Sequence, residues 1–178
     1  PYCVQYAMSI SIRSLSDGYL VTNCGRVFHS DDPASGGWAE LGYPGGLLSS
    51  IDFPPLPAEA GYVASEAGEI YRVTKSTLTL DSWAYGAIWN SVSVPENSNE
   101  AWVVGGTVTR HRVNPNWMSD QYYDTSGTLM SVCFADSLHG WGVGGYGRIL
   151  HTSNGRYWVV QTNPDPQHNM LSQVFFLN

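Results

Sequence analysis

An all-β fold built from propeller blades is predicted by three observations: an apolar stretch centred on a serine recurs along the chain, glycine turns divide the residues between copies, and a tryptophan stands near the end of each repeat. The serines are Ser9, Ser50, Ser91, Ser131 and Ser172, which puts the spacings at 41, 41, 40 and 41 residues. Four full repeats, at about 7–47, 48–88, 89–128 and 129–168, and one further strand at 169–178 then make a single β-propeller region over residues 1–178.

The first strand of each repeat, A, reads Met8-Ser9-Ile10, Ser49-Ser50-Ile51, Asn90-Ser91-Val92, Met130-Ser131-Val132 and Leu171-Ser172-Gln173. Three residues after each serine stands a large or β-branched residue: Ile12, Phe53, Val94, Phe134 and Phe175. That alternation is the period of a strand. Strand B follows a turn, at Gly18-Tyr19-Leu20-Val21, Gly61-Tyr62-Val63-Ala64, Ala101-Trp102-Val103-Val104 and Gly140-Trp141-Gly142-Val143. A glycine turn, suited to φ > 0, leads into strand C at Gly25 to His29, Gly68 to Arg72, Gly106 to Arg110 and Gly147 to His151. Strand D is the least regular and is marked by Trp38, Trp83, Trp117 and Trp158.

A lone four-stranded blade cannot bury both faces, so neighbouring blades must stack, with large residues of A and B between them and strand A innermost. A helix through the Ser50, Ser91 or Ser131 segments would contradict this reading.

Composition narrows the function. Hydrophobic residues are 43% and charged residues 13%, with 19 glycines, 7 tryptophans and 11 tyrosines, as expected of a folded, turn-rich chain. The formal charge is −7, and Lys75 is the one lysine, so no basic block exists to track a phosphate backbone and nucleic acid is not an expected partner. Apolar runs are strand-sized, short of the ~18 residues that a spanning helix requires. A first residue of Pro1 suggests either a processed product or a piece of a longer chain. Cys3, Cys24 and Cys133 lack metal-ligand spacing; they read as buried thiols or as a Cys3–Cys24 bridge with one left over.

The fourth repeat, from Met130-Ser-Val-Cys-Phe-Ala-Asp-Ser-Leu-His-Gly-Trp141 through Gly147-Arg-Ile-Leu-His-Thr-Ser-Asn-Gly-Arg-Tyr-Trp158, resembles the bacterial neuraminidase repeat, or Asp-box. More narrowly it resembles the repeats of the photosystem II assembly and stability factor family. The first repeat keeps His29-Ser30-Asp31 and Gly36-Gly37-Trp38 with extra residues between, whereas the second and third lose most of the turn. The resemblance implies a structural role for Asp31, Trp38, Asn154, Gly155 and Trp158, with the carboxylate or amide accepting bonds from its own turn while the indole packs beneath.

Such repeats also occur in sialidases, which need converging arginines, a tyrosine nucleophile with a glutamate partner, and an acidic proton donor. Arg26 and Arg148 instead recur at the start of strand C, and Arg13 alone lies where a channel ligand could reach it. Asp52, Glu96 and Asp136 end strand A and suit turn formation better than hydrolysis. His29 and His151 share one repeat position, His139 belongs to the His-Gly-Trp turn, and His111 and His168 are expected to be exposed. Gly142-Val-Gly-Gly-Tyr-Gly147 joins two strands and leads into no helix, so it is a β-turn rather than a phosphate loop. No catalytic residue, metal site or cofactor is expected.

Surface recognition remains. Arg13, Arg26, Arg148, Trp117 and the Tyr122-Tyr123 pair are the candidate contact residues, while Trp89 is expected to pack between blades. Four blades and a strand do not complete a ring, which suggests further blades beyond the chain's ends or in a partner. Two functions are therefore carried forward. One is a non-catalytic scaffold that binds a protein or the subunits of a membrane complex, located in the thylakoid lumen, periplasm or outside the cell. The other is part of a secreted sialidase-like glycoside hydrolase or glycan-binding propeller.

Overall fold

The computed structural model describes residues 3–96, 100–113, 116–118 and 127–176. The chain divides into two compact units, Pro1–Trp89 and Asn90–Asn178. Each contains two four-stranded antiparallel sheets, and each sheet is a simple meander.

In the first unit, blade 1 is β1 (Ala7–Ser14), β2 (Asp17–Thr22), β3 (Val27–Ser30) and β4 (Ala39–Gly42), and blade 2 is β5 (Leu48–Asp52), β6 (Gly61–Ser65), β7 (Glu69–Val73) and β8 (Leu78–Trp83). In the second, blade 3 is β9 (Ser91–Ser93), β10 (Ala101–Gly105), β11 (Val108–Val113) and β12 (Asn116–Met118), and blade 4 is β13 (Leu129–Phe134), β14 (Gly140–Gly144), β15 (Ile149–Thr152) and β16 (Trp158–Gln161). Strands run through Ser50, Ser91 and Ser131. Among the described residues the one helical element is the 3-10 turn Gly145–Gly147 between β14 and β15, where a β-turn was expected.

Alternation decides what each blade buries. Tyr19, Val21 and Val27 of blade 1 pack on Leu48, Ile51, Phe53, Val63, Tyr71 and Val73 of blade 2. Trp102 and Val104 of blade 3 pack likewise on Leu129, Val132, Phe134, Leu150 and Trp158 of blade 4. Each fully buried side chain of this size stabilises the fold by about 1.5–3 kcal/mol. Two glycine positions are dictated sterically. A Cβ on Gly61 would lie 2.4 Å from the Phe53 ring, and one on Gly140 would lie 2.6 Å from the Phe134 ring, so the strand-A phenylalanine of blades 2 and 4 lies over a bare strand-B backbone. Gly68 takes φ +88 in the β6–β7 turn, and a Cβ there would also meet the Ala84 carbonyl oxygen at 2.3 Å.

The recurrent serines join the first strands of neighbouring blades within each unit. Ser9 Oγ accepts the Ile51 N–H at 3.2 Å, Ser91 Oγ accepts that of Val132 at 3.2 Å, and Ser131 Oγ accepts that of Val174 at 3.2 Å. Ser93 adds a rung to Phe134 N–H at 3.0 Å. These strands do not ladder with each other, so a short hydroxyl supplies the acceptor that a buried N–H requires.

Pairing and register correct four sequence expectations. In the fifth copy Val174 and Phe176 make the contacts made elsewhere by Ile51 or Val132 and by Phe53 or Phe134, so the repeat position falls on Gln173 rather than Ser172 and the aromatic on Phe176 rather than Phe175. Residues 169–176 form no ladder, so the expected strand is an unladdered segment beside β13. Among the four tryptophans, Trp117 pairs with Arg112, Trp158 with Thr152, and Trp38 immediately precedes Ala39, the partner of His29. Trp83 sits at the other end of its strand opposite Glu69, and Leu78 takes the repeat position opposite Val73. Finally, the β10–β11 turn is one residue shorter than its counterparts: Val104 pairs with Thr109, whereas Val21 pairs with Val27 and Val143 with Ile149. His111, not Arg110, therefore faces Trp102 and is buried at 3% exposure rather than exposed.

Cys3 and Cys24 form a disulfide, and Cys133 stands outside it. Trp89 is buried at 1% exposure, as expected of a packing residue, and its indole N–H donates to the Gly68 carbonyl at 3.0 Å.

Candidate functional site

The densest group of charged side chains in the first unit begins at Arg13, near the end of β1, where the register shifts between Ile12 and Ser14. Its Nη1 donates to Asp17 Oδ2 at 2.8 Å, its Nε to the Pro54 carbonyl at 3.2 Å and its Nη2 to the Ala58 carbonyl. The guanidinium also stands 5.1 Å from the Phe53 ring centre. Asp17 in turn binds His29 Nε2 at 3.0 Å through Oδ1, and Lys75 Nζ lies 3.9 Å from that oxygen and 3.3 Å from Asp31.

This group borders a cavity of ≈ 410 Å³ whose wall includes Arg13, Leu56, Pro57, Glu59, Thr74 and Lys75. The side chains of Arg13 and Asp17 are each 3% exposed, so the ion pair is buried, and the fork of Arg13 is spent on its own chain. A buried pair of this kind holds geometry, since removing either member strands a charge. Here it ties the β5–β6 loop of blade 2 to blade 1. Tyr19 is 0% exposed and stacks on Phe53 at 3.9 Å. Burial, and then the Asp17 carboxylate, push its phenol up to about 12. A phenol so covered is a packing group and not a nucleophile.

The other expected contact residues are dispersed. Arg26 pairs with Glu40 and stands 5.2 Å from the Tyr43 ring centre. Trp117 is half-buried in β12 and has a partner. Arg148 borders a second cavity of ≈ 330 Å³ in the other unit, beside Tyr146 and His168. Tyr122 and Tyr123 lie outside the described residues. Three features escaped the sequence reading: Asp17 as the hub of the Arg13 cluster, the exposed ring of Tyr146, and the Trp83 and Tyr85 rings, 57% and 91% exposed. The spacing of Arg13 and Asp17 across a turn is the one sequence signal that could have exposed the hub.

The turns after β15 and β3, which the resemblance singled out, are held by their own side chains. Asn154 Oδ1 accepts the N–H groups of Arg156 at 3.0 Å and Tyr157 at 2.9 Å, Gly155 takes φ +68, and Trp158 is buried. In the first repeat this role falls to Asp32 and not to Asp31. Asp32 Oδ1 accepts the Ser35 N–H at 3.3 Å while Asp31 is 79% exposed beside Lys75. The bond of Asp32 N–H to Ser30 Oγ matches that of Asn154 N–H to Thr152 Oγ1, which sets the equivalence. Asp136, one of the three carboxylates weighed for hydrolysis, closes the turn before β14 by accepting the N–H groups of Leu138 and His139. The His139 ring and those N–H groups hold its carboxyl below the usual range. A repeated ring pairing also emerges across the β-ladder: Trp102 stacks on His111, and Tyr19 meets His29 and Trp141 meets His151 in tilted contacts. Among the described residues no group of three or more His, Cys, Asp or Glu could hold a metal, and no helix is long and apolar enough to cross a membrane.

No family model matches the chain, and no curated protein matches it. Solved structures do. A structure described as YCF48 bound to D1 peptide aligns with 93% of the chain at a TM-score of 0.64 and 18% identity. A structural genomics protein of unknown function from Bacteroides thetaiotaomicron aligns with 88% of it at a TM-score of 0.67 and 11% identity. The chain spans 54% and 43% of those two chains, about half of each. At these identities the likeness establishes architecture, and together with the four antiparallel sheets it makes this chain an all-β protein of β-propeller blades.

Proposed function

We propose that this chain is a non-catalytic propeller scaffold that binds a segment of another protein, as a subunit or assembly factor of a membrane complex. The observation that carries the reading is the shared architecture with YCF48, whose solved structure holds a D1 peptide. The resemblance of the fourth repeat to photosystem II assembly and stability factors points the same way. The polar groups best placed for chemistry add support, because Arg13, Asp17, Asn154 and Asp136 are engaged with their own chain. The Cys3–Cys24 disulfide favours an oxidising compartment, in keeping with a lumenal, periplasmic or extracellular location.

Titration of the chain with a D1 peptide, followed by calorimetry, tests the reading alongside a panel of fluorogenic sialosides and other glycosides. Saturable peptide binding without glycoside turnover is expected. Glycoside turnover that tracks the purified protein would overturn the scaffold reading in favour of a glycoside hydrolase.

A further inference from the structure

Blade 2 ends in two bare aromatic rings. Trp83 closes β8 at 57% exposure, Tyr85 follows at 91%, and their ring centres lie 6.0 Å apart, edge to face. Rings so exposed add little to folding, because most of their apolar area stays in water. The turn that carries them is nevertheless held firmly. Ala87 N–H donates to the Ala84 carbonyl at 3.1 Å and Gly86 takes φ +74, so Tyr85 stands at the apex of a closed turn. The feet of that turn are fastened to the β6–β7 turn: Ala84 N–H and the Trp89 indole N–H both donate to the Gly68 carbonyl at 3.0 Å, and the Trp89 main-chain N–H donates to the Ser65 carbonyl at 3.2 Å.

The β6–β7 turn supplies charge. Glu69 is the ladder partner of Trp83, which puts the two side chains next to each other on one face of the blade. Its carboxylate accepts the hydroxyl of buried Ser65 at 2.6 Å, and Glu66 stands half-buried in the same turn. Neither glutamate belongs to an ion pair among the described residues. Between Arg26 and Arg110 the sequence holds two cations, Arg72 and Lys75. Strand alternation turns Arg72 to the face opposite Glu69, and Lys75 lies beyond the other end of β7, 3.3 Å from Asp31. Negative charge beside the rings is therefore not balanced by a cation of blade 2.

We propose that Trp83, Tyr85 and Glu69 form a contact site for an arginine side chain of a partner protein. A guanidinium is a flat, weakly hydrated cation that lies on an aromatic ring while its N–H groups reach a carboxylate, and this corner presents both on adjacent strands. Tryptophan, tyrosine and arginine are also the side chains that concentrate binding energy at protein interfaces. An acidic segment would be repelled by Glu66 and Glu69. The site deepens the protein-binding reading and rests on it for the existence of a partner. Its test uses a peptide unrelated to D1, so this site and the D1 titration fail separately.

The probe is the capped pentapeptide acetyl-Gly-Gly-Arg-Gly-Gly-amide, titrated into the full ¹⁵N-labelled chain in about 0.1 M salt, where distant charges are screened. The same peptide with lysine or glutamate at its centre runs beside it. Two-dimensional NMR follows the Trp83 indole N–H and the amides of Glu69, Tyr85 and Gly86. Saturable shifts centred on these groups are expected, about threefold tighter for arginine than for lysine and absent for glutamate. Tyr85→Ala and Glu69→Gln should each weaken arginine binding about threefold, and Trp83→Ala more, while Trp83→Phe should retain it. Tyr85→Ala removes a side chain that is 91% exposed, so it keeps the site testable if Trp83→Ala disturbs β8. Equal affinity for the arginine and lysine peptides would overturn the proposal. So would shifts spread over the other carboxylates of the chain, or binding unchanged in both Tyr85→Ala and Glu69→Gln.

Discussion

Ser91→Ala removes one oxygen atom and isolates what the recurrent serine contributes. Ser91 is 9% exposed, and its Oγ is the acceptor for the Val132 N–H at 3.2 Å. Val132 is 4% exposed and paired with Gly142 on its other side, so water cannot replace the lost acceptor without opening blade 3 from blade 4. An unsatisfied buried donor costs about 1–3 kcal/mol, and alanine fits the space, so no overpacking offsets or adds to this. Ser93→Ala is expected to cost a similar amount through the Phe134 N–H at 3.0 Å. Because the two rungs are neighbours on β9, the double variant should depart from additivity. Urea unfolding of the full chain, with tryptophan fluorescence as the signal, measures the loss. An unchanged m-value would place it in the folded state. Native-state hydrogen exchange adds position: Ser91→Ala should speed exchange at Val132 and leave Phe134 nearly unchanged. A loss below about 0.5 kcal/mol, the ordinary scatter of surface changes, together with unaltered exchange at Val132, would refute the rung.

The same repeat position should respond differently where its surroundings differ. Phe134→Ala, which vacates a 6% exposed site stacked on Trp102 and edge-on to Trp158, is expected to cost about 3–5 kcal/mol. Phe176→Ala, at 41% exposure, should cost about 1–2 kcal/mol by the same urea assay. Burial holds the His111 imidazole below its ordinary value, against a smaller opposing pull from Glu100. The unfolded chain thus binds the extra proton first, so stability should be full above about pH 6.5 and fall as the pH drops from there toward the lower folded value. Thermal melts across that window should show the slope, and His111→Phe should flatten it. In the turns after β15 and β3, Asn154→Ala is expected to cost about 1 kcal/mol through its two lost N–H bonds, whereas Asp31→Ala should stay within about 0.5 kcal/mol. Equal losses for the two would undo the reassignment of that role in the first repeat to Asp32.

The candidate sites were less legible than the fold, for a physical reason visible at Arg13. Position after strand A marked it as a residue that could meet a ligand, but its donors are taken by Asp17 and by carbonyls of Pro54 and Ala58, some forty residues on. Whether a cation is spent on its own chain depends on partners remote in sequence. His111 shows the same limit over a shorter range: one residue fewer in the β10–β11 turn pairs the ring with Trp102 and buries it in that stack.

What the sequence by itself determined was the repeat. A serine every 40 or 41 residues, strand-period alternation and glycine turns required four-stranded blades, because those patterns constrain only local geometry and the burial of one face against a neighbour. Tertiary structure alone decided the register. It placed Phe176 rather than Phe175 on Trp141, Leu78 rather than Trp83 at the repeat position opposite Val73, and Asp32 rather than Asp31 in the turn. Register is a property of the contact between two elements: a one-residue slip preserves every local pattern yet exchanges the face that is buried for the face that is free to bind.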